Sequence, residues 1–357
     1  MREKLITFSF IAVIGGFFLW NVLTPDTPIS NSERRTLQTF PELTWDQIQN
    51  KNVMNTFDRY TLDQFVLRDS FRSMKAHIVL DGLQMLDFNQ FFIKNDVIYK
   101  SEYPNNEVSI KRFISKLSTI QNKYLTDNKV YYSIIPDKSY YVDDTTHLLL
   151  DYDALYNQVT SGLSHMEFID LRDVLSIQDY YRTDTHWREE NLEKVVSTLG
   201  SHMSFEINTS YEKKRYEPFY GVYYGQAAIK MKPDELVYLT NDELEQVIVT
   251  NYEKKSVLYD IEKLGSMDSY DVFLGGATPL VTIENPNQTD GKELIIFRDS
   301  FGSSLAPLLV PAYSKITLID LRYITTKKME ELVTFQDQDV LFLYSTLLVN
   351  DSSSLKD

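Results

Sequence analysis

The chain contains no cysteine. That excludes disulfide staples, cysteine-ligated zinc and a thiol nucleophile. Histidine is scarce as well: only His77, His147, His165, His186 and His202 occur. No two of them stand at the spacing of a metal-binding helix, so neither a metal nor a cofactor is expected. Basic residues are outnumbered, and the net charge of -15 argues against nucleic acid, whose phosphates would be repelled. Internal repeats and low-complexity tracts are lacking too. What remains is a globular composition, 43% hydrophobic and 24% charged over 357 residues, enough for one large domain or two modest ones.

Arg2 and Lys4 precede an uncharged, mostly apolar run from Leu5 to Leu23, long enough for a helix to cross a hydrocarbon layer of roughly 30 Å. Positive charge before the run and Asp26 after it orient the N-terminus to the cytoplasm and the rest outside. An uncleaved single-pass anchor (1–23) is expected, because the exit Asn21-Val22-Leu23-Thr24-Pro25 offers no small-x-small cleavage site. A cleaved signal peptide is the alternative. Cysteine-free sequence outside the membrane suits a Gram-positive exterior. Residues 24–52, with Pro25, Pro28 and Pro41, read as a linker.

From 53 onward a globular domain is expected, with helical periodicity over Val53 to Leu86 and Ser109 to Leu125. Strands are expected at Phe91-Ile93, Val97-Tyr99 and Lys129-Ile135. Then come a helix from Tyr152, a strand at Glu167-Ile169 and a helix behind Glu189. Residues 205–290 are richer in short polar and aromatic strands and look inserted. The last part alternates: strands at Leu294-Phe297, Ile316-Ile319 and Val340-Tyr344, with helices at Ser303 to Val310 and Thr325 to Val333. Apolar strands alternating with helices predict an α/β fold, a mostly parallel buried sheet flanked by helices.

Two short stretches carry the chemistry. Asp184-Thr185-His186-Trp187 precedes a helix; Arg298-Asp299-Ser300-Phe301-Gly302 follows a strand. A hydroxyl becomes a competent nucleophile when a base takes its proton, and the imidazole of that base needs a carboxylate to fix its tautomer. Ser300 falls where active crevices of α/β sheets form, past the carboxyl end of a strand. A helix cap is an equally ready role for a serine there, and Asp299 could share it. Asp184 could meet the ring of His186 if the chain turns slightly, or could simply cap the next helix. Trp187 could wall a site or pack. His147, among Asp143 and Asp144, is a rival base.

These motifs resemble the DHHW family of extracytoplasmic proteins and the SGNH-hydrolase-like domains of alginate O-acetyltransferase accessory proteins. Further landmarks are similar: Ser32-Glu33-Arg34-Arg35-Thr36-Leu37, Asp63-Gln64-Phe65, Pro136-Asp137-Lys138, Phe219-Tyr220-Gly221, Leu274-Gly275-Gly276, Ile319-Asp320-Leu321-Arg322 and Leu343-Tyr344-Ser345-Thr346. Two departures stand out. Thr185 occupies the second position of the Asp-His-His-Trp pattern. Arg298 replaces the glycine of a Gly-Asp-Ser motif, with the order of the three residues reversed, as in a permuted triad. The resemblance implies an SGNH-like domain over 53–357, with Ser300 as nucleophile, His186 as general base and Asp184 as its orienter. It further implies transfer or removal of acetyl groups on a cell-envelope or secreted polysaccharide, beside a membrane-bound O-acyltransferase partner. The backbone N–H of Ser300 and of Gly275 or Gly276 are candidate oxyanion donors, the glycine pair being equally readable as a turn. Arg298, Lys138 and Arg322 could add positive charge or form structural ion pairs. Tyr220 and Tyr224 could line a glycan groove or pack within a strand. A non-catalytic glycan-binding or scaffold protein of an acetylation complex is the competing expectation.

Overall fold

A computed structural model describes residues 2–42, 44, 45, 49 and 52–357. Residues 43, 46–48, 50 and 51 of the expected linker lie outside the described residues. The chain forms two compact units, one comprising residues up to Phe88 with Tyr224–Lys230, the other Asn89–Tyr223 with Met231–Asp357.

In the smaller unit, Arg2–Leu23 is one helix of 22 residues, long and apolar enough to cross a membrane. At 1.5 Å per residue it extends about 33 Å. Strands β1 (Ile29–Ser30) and β2 (Arg35–Thr36) pair antiparallel after it. Two side chains tie this stretch down. Asp63 accepts from Arg35 Nη1 at 3.0 Å and from the Gln38 N–H at 2.9 Å. Gln64 bonds both the N–H and the carbonyl of Thr27. The helical periodicity expected over Val53 to Leu86 splits into helices Asn52–Asp63 and Arg68–His77, continued by a π-helical turn Ile78–Gly82. The break falls where Asp63 and Gln64 are engaged by the preceding segment and Leu67 takes a left-handed backbone (φ 57°).

The larger unit is built on an eight-stranded sheet. Chain order gives β3 (Phe91–Lys94) and β4 (Val97–Lys100), a separate hairpin, then β5 (Val130–Ile135) and β6 (Glu167–Phe168). β7 (Glu212–Phe219) and β8 (Asp234–Thr240) form a second hairpin. The remaining strands are β9 (Ile248–Asn251), β10 (Lys254–Ser256), β11 (Leu280–Glu284), β12 (Glu293–Arg298), β13 (Lys315–Ile319) and β14 (Asp339–Ser345). Across the sheet the order is β10-β9-β11-β13-β12-β14-β5-β6. The five strands from β13 to β6 run parallel, and β11, β9 and β10 extend the sheet antiparallel. The expected mostly parallel sheet is therefore present, and three strands of the 205–290 region prolong it.

β12 sits inside the parallel part, between β13 and β14. Successive side chains of a strand face opposite ways. Leu294 and Ile296 accordingly enter one core with Trp187, Phe301 and Leu305, and Ile295 and Phe297 enter the other with Phe113, Met329 and Tyr344. The helix after β12 spans Phe301–Leu309, beginning two residues before the sequence expectation. Ser300 is thereby placed at its first corner, at the carboxyl edge of the sheet.

Candidate active site

Residues 180–188 form a tight loop. A bridge joins Tyr180 to Trp187, the Tyr181 N–H donates to the His186 carbonyl at 3.1 Å, and the Arg188 N–H donates to Asp179 O at 2.7 Å. Within it Asp184 Oδ1 accepts the His186 N–H at 3.0 Å, which bends the chain enough to bring the ring back. His186 Nδ1 lies 2.6 Å from the same oxygen. The carboxylate holds the Nδ1 proton, leaving Nε2 as acceptor. Nε2 is 2.8 Å from Ser300 Oγ. Residues 114 apart in sequence thus form one continuous chain, Ser300 to His186 to Asp184.

The structure also separates the two roles open to Ser300. Its side chain makes no capping bond. The N–H of Phe301 is satisfied instead by Asp299 Oδ1 at 3.0 Å, and Asp299 Oδ2 accepts the Ser345 N–H at 2.8 Å from the neighbouring strand end. Asp299 does the local fixing, and the serine hydroxyl turns to the imidazole. Gly302 brings helix and strand together: a Cβ there would lie 2.7 Å from Arg298 Cβ. The glycine is required by this close approach, not by an unusual backbone turn.

Asp184 is fully buried. Its Oδ2 accepts the Val222 N–H at 2.7 Å. Gly221 lies directly against it, since a Cβ built there would come within 2.5 Å of the Cβ, Cα and N of Asp184. The Phe219-Tyr220-Gly221 landmark is therefore a buttress for the acid. Thr183, one residue earlier, is held by Asp234 at the start of β8 through its hydroxyl (2.6 Å) and its N–H (2.8 Å). Trp187 packs and ties: it is buried, and its Nε1 donates to Phe301 O (3.1 Å) and Ser304 Oγ (2.9 Å) on the serine-bearing helix. The phenol of Tyr270 stacks on the His186 ring at 3.8 Å, nearly parallel at 5°, and its hydroxyl is 2.8 Å from the same Ser304 Oγ. Burial raises the Tyr270 pKa well above the ordinary value, so it is a neutral phenol.

Lys138 lies under the loop, 1% exposed. Its Nζ donates to the carbonyls of Tyr181 (3.0 Å), Arg182 (3.1 Å) and Asp184 (2.7 Å). Burial lowers its pKa to about 7, against the opposing pull of Asp184, Asp234 and Asp137. Three carbonyl acceptors favour the ammonium, the only form with three N–H donors. Arg298 is buried, its Nη1 3.6 Å from Asp320 Oδ2, and Arg322 grips the same carboxylate at 2.9 and 2.6 Å. Gly275 and Gly276 form a left-handed turn in which the Gly276 N–H donates to Phe273 O at 3.2 Å. Tyr220 is 41% exposed, and Tyr224 belongs to the smaller unit. The rival base His147 stacks on Phe92 at 3.7 Å beside Asp144.

Sequence reasoning missed Tyr270, Ser304 and Asp234. Ser304 carried a usable signal, lying one helical turn beyond Ser300. Tyr270 and Asp234 reach the site only through the fold.

The sequence pattern of the family described as DHHW protein matches residues 155–319, which include Asp184, His186 and Ser300. Curated protein sequences give no match. Among solved structures, a DHHW family protein from Eubacterium siraeum is similar with a TM-score of 0.62 at 18% identity, over 75% of this chain and 95% of that one. PatB1 of Bacillus cereus, solved also with a sulfonyl adduct, gives 0.56 at 18% identity, over 75% of this chain and 97% of its own. The O-acetyltransferase domain of Pseudomonas putida AlgJ gives 0.46 at 11% identity, over 73% and 92% of the two chains. The resemblance read from the motifs therefore holds: residues 155–319 carry the DHHW pattern, and the surrounding fold is similar to that of the solved DHHW protein and of PatB1.

Proposed function

We propose that this chain is a serine-dependent O-acetyltransferase or acetylesterase, held at a membrane by its first helix and acting on an extracellular polysaccharide. The observation that carries the reading is the unbroken Ser300–His186–Asp184 chain, with links of 2.8 and 2.6 Å. The acetyl group and the glycan come from the motif resemblance to DHHW proteins and alginate acetylation accessory domains. The outward orientation comes from the charges flanking the helix.

In this mechanism Ser300 Oγ attacks the acetyl carbonyl while its proton passes to His186 Nε2. The imidazolium so formed is stabilised by Asp184. The negative charge on the carbonyl oxygen develops beside the N-terminus of Phe301–Leu309, where the Ser300 N–H is the donor we assign to it. Collapse breaks the ester C–O bond, and His186 returns the proton to the departing alkoxide. A second hydroxyl then attacks the acetyl-serine with His186 as base. A sugar acceptor gives transfer; water gives hydrolysis. Lys138, Gly221, Asp234 and Trp187 act on this chemistry only by holding the loop and the serine helix in register.

The test uses an activated acetyl ester with and without glycan acceptor, on the full chain and on Ser300→Ala, together with labelling by a sulfonyl fluoride. The expected result is acyl turnover lost in Ser300→Ala and a sulfonyl mass on the peptide carrying Ser300. A folded wild-type chain that takes no label and turns over no ester would favour the non-catalytic scaffold and end this reading.

A further inference from the structure

The helix Arg68–His77 is oriented the wrong way round for a water-soluble surface. Its small residues, Ser73 and Ala76, are buried. Its apolar residues Phe71 and Met74, and Leu67 and Ile78 that flank it, point outward: Leu67, Phe71, Met74 and Ile78 are 50, 38, 51 and 52% exposed. They recur at steps of four, three and four, which places them in one stripe. The stripe continues past the π-helical turn into Met85 and Leu86, 58 and 53% exposed. The basic residues Arg68, Arg72 and Lys75 of the same helix are engaged elsewhere, while Asp69 and His77 stay at the surface, His77 Nδ1 2.8 Å from Asp81 Oδ2. Arg68 and Arg72 pair with Glu33 at 2.7 and 3.1 Å, and Lys75 lies over the Phe88 ring. A stripe of this kind left in water is unusual, and it asks for an apolar partner.

Its place in the unit says which partner. The stripe is continuous with the helix Arg2–Leu23. The Phe17 ring stacks on Phe65 at 6.3 Å and meets Phe71 edge-on at 6.4 Å, and those two rings lie 5.6 Å apart. Asn21 Oδ1 accepts the Val66 N–H at 3.0 Å, which locks the register of the two segments. Phe17 lies six residues before the end of the first helix, about 9 Å along its axis. If that helix spans the bilayer, Phe65 and Phe71 reach the same depth. Interfacial amphipathic helices bury their apolar face by about 5–10 Å at the headgroup–acyl boundary.

We infer that the segment 65–86 is a second membrane element, an in-plane helix whose Leu67–Phe71–Met74–Ile78 stripe lies in the outer boundary of a phospholipid bilayer beside the anchor. The inference rests on the anchor reading of Arg2–Leu23. Two points of fixation would hold the start of the following chain down on the lipid instead of letting it swing on one stalk.

The absence of cysteine makes the test direct. Single variants Met74→Cys, Ile78→Cys and Ile14→Cys of the full chain are labelled with an environment-sensitive fluorophore. They are then placed in phosphatidylcholine–phosphatidylglycerol vesicles carrying doxyl-lipid quenchers, with iodide as the aqueous quencher on both sides. At a depth of 5–10 Å the labels at 74 and 78 should lose about half their emission to a shallow doxyl lipid and resist iodide. The label at 14 should respond to a deep doxyl lipid. If 14 is quenched by lipid but 74 and 78 are reached by iodide, the stripe lies in water and the inference fails while the anchor stands. If 74 and 78 are shielded from both quenchers, protein covers them, as in a self-association, and the inference fails again. If 14 itself escapes lipid quenching, the anchor reading falls and takes this one with it.

Discussion

Gly221→Ala places one methyl group against Asp184, the acid of the proposed triad. The added Cβ would lie within 2.5 Å of three Asp184 atoms, two of them backbone or Cα. Carbon atoms pack at about 3.5–4.0 Å, so the two segments must part by about 1 Å. No flexible side chain is available to yield. The Val222 N–H to Asp184 Oδ2 bond and the Gly221 N–H to Thr183 Oγ1 bond (3.0 Å) both run across this contact and would stretch together. Overpacking of this kind costs about 1–3 kcal/mol of stability. The effect on rate should be larger than that suggests: displacing a positioned catalytic group by about 1 Å costs about 100-fold. Asp184→Asn, which keeps the volume but presents the wrong tautomer to His186, sets the outer bound at about 10,000-fold. The assay is kcat and KM on an activated acetyl ester, with thermal melting alongside. The expected pattern is a kcat reduced by about 100-fold or more, a KM changed little, and a modestly lower melting temperature. A Gly221→Ala protein that melts lower but keeps wild-type kcat would refute the argument that this contact positions the acid.

Other outcomes follow from the same geometry. Lys138→Met takes the donor from the buried carbonyls of Tyr181 and Asp184, while the Arg182 carbonyl keeps the Ile98 N–H at 3.0 Å; it should cost about 2 kcal/mol or more, read by chemical denaturation, with kcat falling because the Asp184 loop loses its support. Trp187→Phe keeps the edge contact with Phe301 but removes the donor to Phe301 O and Ser304 Oγ; it should lower stability by about 1–3 kcal/mol and weaken sulfonyl labelling of Ser300. Glu189 is buried, accepting from the Leu239 N–H (2.7 Å) and Tyr259 Oη (2.9 Å), and burial raises its pKa well above the ordinary carboxyl value. Its proton is retained in the fold where the unfolded chain has lost it, so its contribution is full below the unfolded pKa and is lost as pH rises towards the folded one. Glu189→Gln should therefore melt close to wild type near about pH 5 and increasingly above it towards about pH 8; an advantage that shrinks with pH would refute the sign.

Much of the fold could be read in advance because its signals are local. β12 announces itself as Leu294-Ile295-Ile296-Phe297, continuous and apolar because both faces are covered, and the helices behind Glu107 and Tyr152 show their stripes. The start of the serine helix was less visible. Its first turn, Phe301-Gly302, is fixed by Asp299 and by a glycine chosen for closeness to Arg298, neither of which is a periodic feature. The residues of the proposed triad were legible as types, but whether Ser300 capped a helix or met an imidazole depended on which acceptor the Phe301 N–H found. The supports were hidden for the same reason. Lys138, Asp234 and Tyr270 bind the loop from three separate segments, and Gly221 stood out for its aromatic neighbours when its value lies in having no side chain. The apolar residues Phe71, Met74 and Ile78 pointed to a helix but not to the side on which it is covered.

The placement of Ser300, the proposed nucleophile, two residues past the end of β12 has a thermal consequence. That strand is bonded on both flanks within the parallel layer, so the hydroxyl has no private way to come loose: edge strands and hairpins can open while it stays put. Softening confined to the β10 end should then leave the serine in place, so that any earlier loss of reactivity reports release of the 180–188 loop and its Asp234 tether and not of the strand.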